Sequence, residues 1–412
     1  MAGAEVMVHA PFIGLPEHSC VTARPNFREH ARIVLTMKQV HMVFFDAGGG
    51  HRSAAMALQR VAEQQKRSWE IRLLNLQDLF DSLDIFRKVT GLRSQDLYNI
   101  TLKKGWTLGS PQLMRAMHGI IQLYHRPQMR ILQQYWAQHQ PDLVVSLIPN
   151  FNRALHQSLQ RCHPGVPMMT VMTDMADYPP HFWMERRQPQ YIVCGTQLAV
   201  EQARQTGFPE PRILKTSGMI VNPDFYEPVE TDPVAGRQAL GLDPHLPTGL
   251  VLFGGHGSRA MNVVARRIEA SGLAVQLILI CGHNQKLAEK LRARQWRMPV
   301  RVEGFTREMP KLMALADFFI GKPGPGSISE ALRMGLPVIV ERNAWTLPQE
   351  RYNAEWVESE GLGIVVPTFK DLAPAVERML VSSEYERFRR NARALDNRAV
   401  FEIPELMEKA MQ

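Results

Sequence analysis

Three glycine-rich turns carry most of the side chains in this sequence that could do chemistry. The first, "FFDAGGGHRSAA" from Phe44 to Ala55, sets Gly48, Gly49 and Gly50 directly before an ionisable imidazole, His51. The second, "LFGGHGS", holds Gly254, Gly255, His256, Gly257 and Ser258. The third, "IGKPGPGSISEALRMGLPVIV", holds Lys322, Gly324, Gly326 and Ser327 ahead of a helical pattern containing Glu330. Glycines at a helix start let an anion approach backbone N–H groups, and the helix dipole favours the negative charge. None of the three fits GxxxxGK[ST] or GxGxxG, so P-loop and dinucleotide fingerprints are absent. Two such turns in separate halves of the chain point to a ligand shared between them.

The third turn is the most specific. A Gly-Pro-Gly-Ser loop at a helix N-terminus can hold a diphosphate, and Glu330, about one helical turn beyond Gly326, can accept two hydrogen bonds from a ribose diol. Further on, "LPQERYN" brings Gln349, Glu350 and Asn353 close together. Their amide and carboxylate groups suit sugar hydroxyls; a solvated helix start would have the same composition.

The elements that must position these groups are legible as an alternation. "HMVFF", "EIRLLNL", "DLVVSLI", "PMMTVMT" and "YIVCGT" read as buried strands, with helical patterns between them such as Ser53 to Lys66, where Ala54, Leu58 and Val61 recur at helical spacing. A second series, "GLVLFGG", "VQLILICG", "VRVEGF", "DFFIGK", "LPVIVE" and "GIVV", repeats the pattern. Two βα series predict an α/β protein of two doubly wound domains with mainly parallel sheets. A length of 412 residues suits two cores rather than one. The Pro- and acid-rich stretch Asn222 to Pro233 is the expected linker. Ligands collect at the carboxyl ends of strands in such sheets, so the glycine turns should line a cleft between the domains. Residues 1–36 show no periodicity and are expected to be a loosely ordered, dispensable extension.

Hydrophobic residues at 45% and charged residues at 21% are those of a folded soluble protein. No apolar run reaches the roughly 18 to 20 residues that span a bilayer, and the first residues lack a signal-peptide pattern, so the expected compartment is the cytoplasm. Cys20, Cys162, Cys194 and Cys281 lie far apart, which argues against a disulfide framework or zinc knuckle. A net charge of +8 implies an acidic partner: nucleic acid, an anionic membrane or an anionic substrate. No RNA-binding motif is present, and no nucleic-acid partner is expected. Between Ile85 and Tyr135, Lys103, Lys104, Arg115 and other basic residues interleave with Trp106, Leu108, Met114 and Met117, against only Asp96. That composition suits either an interfacial membrane-binding segment or a helical hairpin with a solvated basic face.

Together "FFDAGGGHRSAA", "VMTDMADYPPHFW", "ILICGHNQKLAEKL", "VEGF" and "KPGPGSISEALRMGLPVIV" resemble the monogalactosyldiacylglycerol synthase and processive diacylglycerol glycosyltransferase family, itself similar to the peptidoglycan GlcNAc transferase. The likeness runs from about Met37 to Ala394. It implies a GT-B fold: an N-terminal acceptor- and membrane-binding Rossmann-like domain over 37–225, a C-terminal UDP-sugar-binding domain over 226–384, and helices from about Tyr385 to the end returning to the first domain. Two motifs depart from the plant members, with Ile148-Pro149 in place of His-Pro and Gly254-Gly255-His256-Gly257 in place of Gly-Gly-Gly-Glu-Gly.

The resemblance also implies a reaction: inverting transfer of a hexose, galactose or glucose, from a UDP-sugar to diacylglycerol. The rivals are a UDP-GlcNAc transferase acting on a polyprenyl-diphosphate acceptor and a UDP-sugar 2-epimerase. Gly326, Ser327 and Glu330 would hold the diphosphate and ribose, Phe305 would flank the uracil, and Gln349 and Glu350 would touch the sugar. In such a transfer the acceptor hydroxyl must lose a proton. His51, with an ordinary pKa near neutrality, suits a general base with Asp174 to orient it; the alternative makes Asp174 the base and gives His51 to the donor phosphate. Asp177 is a weaker candidate. No D-x-D pair occurs, so no metal and no cofactor beyond the sugar donor is expected, leaving backbone amides, the helix dipole and Lys322 to carry the leaving-group charge. The expected location is the inner face of the cell membrane, docked through the basic stretch.

Overall fold

The computed structural model describes residues 37–46, 49–80, 119, 121–186 and 188–412. The extension 1–36, Gly48 and the docking candidates Lys103, Lys104, Trp106 and Arg115 lie outside the described residues. Met37–Gln412 forms one unit built on two parallel sheets of six strands each.

The first sheet consists of β1 (Lys38–Phe44), β2 (Trp69–Asn75), β3 (Leu143–Ser146), β4 (Met168–Val171), β5 (Tyr191–Cys194) and β6 (Ile213–Lys215), in the order β2-β1-β3-β4-β5-β6. The second consists of β7 (Thr248–Leu252), β8 (Gln276–Ile280), β9 (Val300–Glu303), β10 (Phe318–Gly321), β11 (Val338–Glu341) and β12 (Gly363–Val366), in the order β12-β11-β10-β7-β8-β9. Every pairing is parallel, and helices cover both faces. This explains why β3, β4, β7 and β8 are buried along their whole length and read as unbroken apolar runs. Strand order reverses at β1/β3 and at β7/β10, and the first and third glycine turns follow strands at these switch points. This is the GT-B architecture.

Ile213–Lys215 is a strand that the sequence pattern does not reveal, being only three residues long at a sheet edge. The predicted linker is partly structured: Pro223–Tyr226 forms a 3-10 turn, Phe225 is already in the core of the second half, and Asp232 caps a helix that starts at Pro233. The return to the first half begins later than Tyr385. Helix Ser382–Ala394 buries Phe388 and Ala392 in the cores of the second half, because its apolar positions face that sheet. Only Ala399–Ala410 crosses back, burying Ala399, Val400, Ile403 and Met407 against β1 and helix Gly50–Gln64. Asn397 holds the crossing, its Nδ2 donating to the Met219 carbonyl at 2.9 Å while its own carbonyl accepts the Tyr226 hydroxyl at 2.8 Å.

Candidate active site in the cleft

On the N-terminal side, helix Gly50–Gln64 starts abruptly after β1. Its N-cap residue, Gly49, has φ +81, a left-handed conformation that explains the glycine, and a side chain at Gly50 would meet nothing within 4 Å. Gly50 therefore faces open space and is not held to glycine by packing. His51 lies in the first turn and shares a 3.0 Å hydrogen bond, through Nδ1, with the Thr173 hydroxyl. Burial pushes its imidazole down to about 4, against the opposing effect of a bond to the Leu147 main chain. It is therefore neutral at physiological pH, not poised near neutrality as the free side chain would be. Its ring partner is Thr173, and no bond joins it to Asp174.

Asp174 follows β4 and accepts a 2.9 Å hydrogen bond from the indole Nε1–H of Trp183 on Oδ2. Burial raises its carboxyl to about 7; the Trp183 bond opposes the rise, Glu350 across the cleft adds to it, and Lys322 lowers it. The two halves thus feel each other electrostatically at this point. Asp177 has a different task. It is buried, with Oδ1 accepting the Trp183 backbone N–H at 2.7 Å and Oδ2 that of His181 at 2.9 Å. Both oxygens are spent on the loop, which makes Asp177 an organiser.

On the C-terminal side, three loops meet. Gly254 (φ +73) and Gly257 (φ +58) turn the chain after β7, and Gly282 (φ +55) turns it after β8. A Cβ at Gly282 would collide with the Gly255 carbonyl, which also accepts the His283 N–H at 2.8 Å. The close approach thus requires glycine at 282, and a Cβ at Gly257 would lie 2.9 Å from the Cys281 carbonyl, whereas one at Gly255 would meet nothing within 4 Å. Phe305, after β9, is 60% exposed and stacks on the His283 ring with centroids 4.2 Å apart, presenting a flat apolar surface at the sheet's carboxyl end.

The third turn has an uncapped helix start. Helix Pro325–Arg333 begins with Gly324 as N-cap and no side chain bonding to its first N–H groups; a Cβ at Gly326 would meet nothing within 4 Å. The Ser327 hydroxyl donates to the Gly324 carbonyl at 3.2 Å. One turn in, the Glu330 carboxylate makes no hydrogen bond or ion pair among the described residues, and burial alone raises it to about 7. Lys322 pairs with buried Glu350 beside Gly254 and Gly324. Gln349 is buried with Oε1 lacking a partner. Asn353 differs from its neighbours. It is fully buried and donates to the Pro323 carbonyl at 2.7 Å, so it shapes the Lys322–Gly324 turn and is closed to a ligand.

The structure therefore gathers His51 and Asp174 from one half and Gly254, Gly255, Lys322, Gly324, Gly326, Ser327, Glu330, Gln349 and Glu350 from the other around strand ends, with Phe305 at the flank. Three contributors escaped the sequence reading: Thr173, His283 and Trp183. Of the basic stretch, helix His125–Gln138 is visible, and it is a core helix, burying Met129, Leu132 and Trp136. No helix among the described residues is long and apolar enough to cross a membrane.

Comparison with known proteins gives the same fold and a family. The profile of the glycosyltransferase family 28 C-terminal domain matches residues 249–400. Among solved structures, Acinetobacter baumannii MurG has a TM-score of 0.58 at 14% identity, covering 90% of this chain and 99% of its own. Anabaena HepE in complex with UDP-glucose has a TM-score of 0.52 at 15% identity, covering 90% and 99%. These share the fold. A probable monogalactosyldiacylglycerol synthase 2 of Oryza sativa subsp. japonica is 28% identical over 91% of this chain and 81% of its own length. Monogalactosyldiacylglycerol synthase 1 of Arabidopsis thaliana is 30% identical over 89% of this chain and 70% of its own. At that identity and coverage the chain belongs to the monogalactosyldiacylglycerol synthase family of glycosyltransferases.

Proposed function

We propose that the protein transfers a hexose from a UDP-sugar to the free hydroxyl of diacylglycerol with inversion at the anomeric carbon, using no metal. The carrying observation is the opposition of Asp174, raised to about 7, to the Lys322–Glu350 pair across the cleft. A carboxylate with that pKa is well matched to proton abstraction near neutrality. The acceptor oxygen attacks the anomeric carbon as its proton passes to Asp174. The bond from that carbon to the diphosphate oxygen breaks, and UDP leaves with the electron pair. Gly324, Gly326, Ser327 and Lys322 receive the leaving charge through the uncapped helix start and the ammonium group. Glu330 binds the ribose diol, Phe305 the uracil face, and Gln349 and Glu350 the sugar hydroxyls. His51, neutral and held by Thr173, orients the acceptor hydroxyl beside Gly50.

The names of the relatives favour galactose as the sugar. Of the basic, Trp- and Met-bearing stretch 85–135, the part ahead of the core helix His125–Gln138 serves as the lipid-surface contact, with the enzyme peripheral to the membrane that supplies diacylglycerol. The test is incubation of the full chain with diacylglycerol vesicles and either UDP-galactose or UDP-glucose, following UDP release and lipid products. Galactolipid formation, lost in Asp174→Asn and strongly reduced in His51→Ala, is the expected result. Release of UDP without any lipid product would overturn the acceptor assignment, and full activity in Asp174→Asn would overturn the base.

A further inference from the structure

Trp183 stands out because every polar group it has is committed. Its side chain is fully buried, yet the indole N–H is aimed at Asp174 Oδ2 at 2.9 Å. Its backbone is clasped at both ends: the N–H donates to Asp177 Oδ1 at 2.7 Å, and the carbonyl accepts the Asn152 side-chain amide at 3.3 Å. Asp177 is fixed in turn by its other oxygen on the His181 N–H and by its own N–H donating to Gln202 at 2.8 Å. Asn152 is anchored a second time by donating to the Ile148 carbonyl at 3.0 Å. The ring centroid lies 6.0 Å from that of His51. A core tryptophan needs one acceptor for its N–H. A backbone carbonyl would serve packing equally well, whereas here the acceptor is Asp174, a cleft carboxylate that feels Lys322 and Glu350 of the opposite half.

We propose that Trp183 is a positioning residue for the transfer: clasped by Asp177 and Asn152, it occupies Oδ2 of Asp174 and so presents Oδ1 to the acceptor hydroxyl, while its ring backs His51. This rests on the reading of Asp174 as proton acceptor. An indole N–H stabilises the ionised carboxylate more strongly than the neutral acid, so it fixes the direction of the group and favours its charged form. Asp177, a candidate for chemistry by its position in the sequence, acts one step further away, through Trp183.

The test replaces Trp183 in the full chain by Phe, and separately by benzothienylalanine, which keeps the volume and removes only the N–H. Two readouts are followed from pH 5.5 to 9: kcat, and the carboxyl resonance of isotopically labelled Asp174. UDP binding, carried by the other half, reports folding. The expected result is an upward move of about one pH unit in both the acid limb and the Asp174 titration, since a hydrogen bond to a charged group is lost. At pH 6.5 kcat then falls about eightfold and recovers near pH 9, with UDP affinity unchanged. An isostere whose Asp174 titrates as in the parent, or whose kcat falls equally at all pH, overturns the proposal. Asp174→Asn separates the two readings: if it keeps full kcat the base assignment fails, whereas if it abolishes turnover while the isostere leaves the limb in place only the positioning role fails.

Discussion

Glu330 offers a test of the proposed donor site that needs no acceptor. Its carboxylate has no internal partner, and burial lifts it to about 7. Two hydroxyls donating to it stabilise the ionised form, so binding a ribose must release a proton whenever the free group is protonated. If the bound carboxylate returns to an ordinary value near 4.3, affinity is almost flat above pH 7 and weakens about tenfold between pH 8 and pH 6. Uridine is the right ligand, because the phosphate of UDP titrates in the same range. Calorimetry in buffers of different ionisation enthalpy should show close to one proton released at pH 6 and little at pH 8. In Glu330→Gln the pH dependence should vanish, and affinity at pH 8 should fall at least about tenfold with the loss of charge-assisted bonds. The same group lowers stability. Its folded value lies above the unfolded value of 4.5, so the folded protein holds the extra proton between those limits, and stability declines as pH rises from about 4.5 to 7 and is level above. The full shift corresponds to about 3 kcal/mol, reduced to ~1–2 kcal/mol for a partly exposed side chain. Glu330→Gln should therefore melt higher than the parent at pH 8 and no higher at pH 4.5. Uridine affinity that is level from pH 6 to 8, or a Gln variant that binds like the parent, would refute the assignment of Glu330 to the ribose.

Two substitutions probe the loops of the C-terminal half. Gly282→Ala places a side chain at φ +55 against the Gly255 carbonyl; the left-handed conformation alone costs about 1–2 kcal/mol, so Tm should fall and uridine binding weaken together in parallel thermal and calorimetric measurements. Phe305→Ala removes a stacking surface worth about 1–3 kcal/mol per base. Uridine affinity should drop about tenfold, while free phosphate binding, measured in the same way, stays constant.

Much of this architecture was readable from composition alone, because strands buried on both faces must be apolar throughout. Central strands such as β3, β4, β7 and β8 correspond to apolar-rich runs, the edge strands β2 and β9 keep charged residues among their apolar ones, and Ile213–Lys215 has too few residues to form a run. The glycine turns were readable because φ values such as those of Gly49, Gly254 and Gly257 leave few alternatives. What sequence could not supply were quantities set by surroundings. The departure of His51 from a neutral-range imidazole depends on how deeply the cleft encloses it. Asp174 and Trp183 are nine residues apart across an irregular loop, a distance at which no periodicity links them. Asn353 looks like its neighbours Gln349 and Glu350 in "LPQERYN", but helix geometry turns it into the core. The return crossing falls at 395–398, ten residues later than expected from Tyr385, because Phe388 and Ala392 belong to the second half's apolar stripe.

The crossing helix Ala399–Ala410 has a bearing on how the chain acquires its structure during synthesis. It completes a core begun by β1 and helix Gly50–Gln64, and the Arg67–Glu408 bond joins residues 341 positions apart. The N-terminal half therefore keeps an open apolar face until Ala399–Ala410 has been made, at about 5–20 residues per second. Expression of that half alone should yield a sticky, incomplete domain, and a chain cut short before Ala399 would lose the N-terminal half first, although every cleft residue named above would still be present in its sequence.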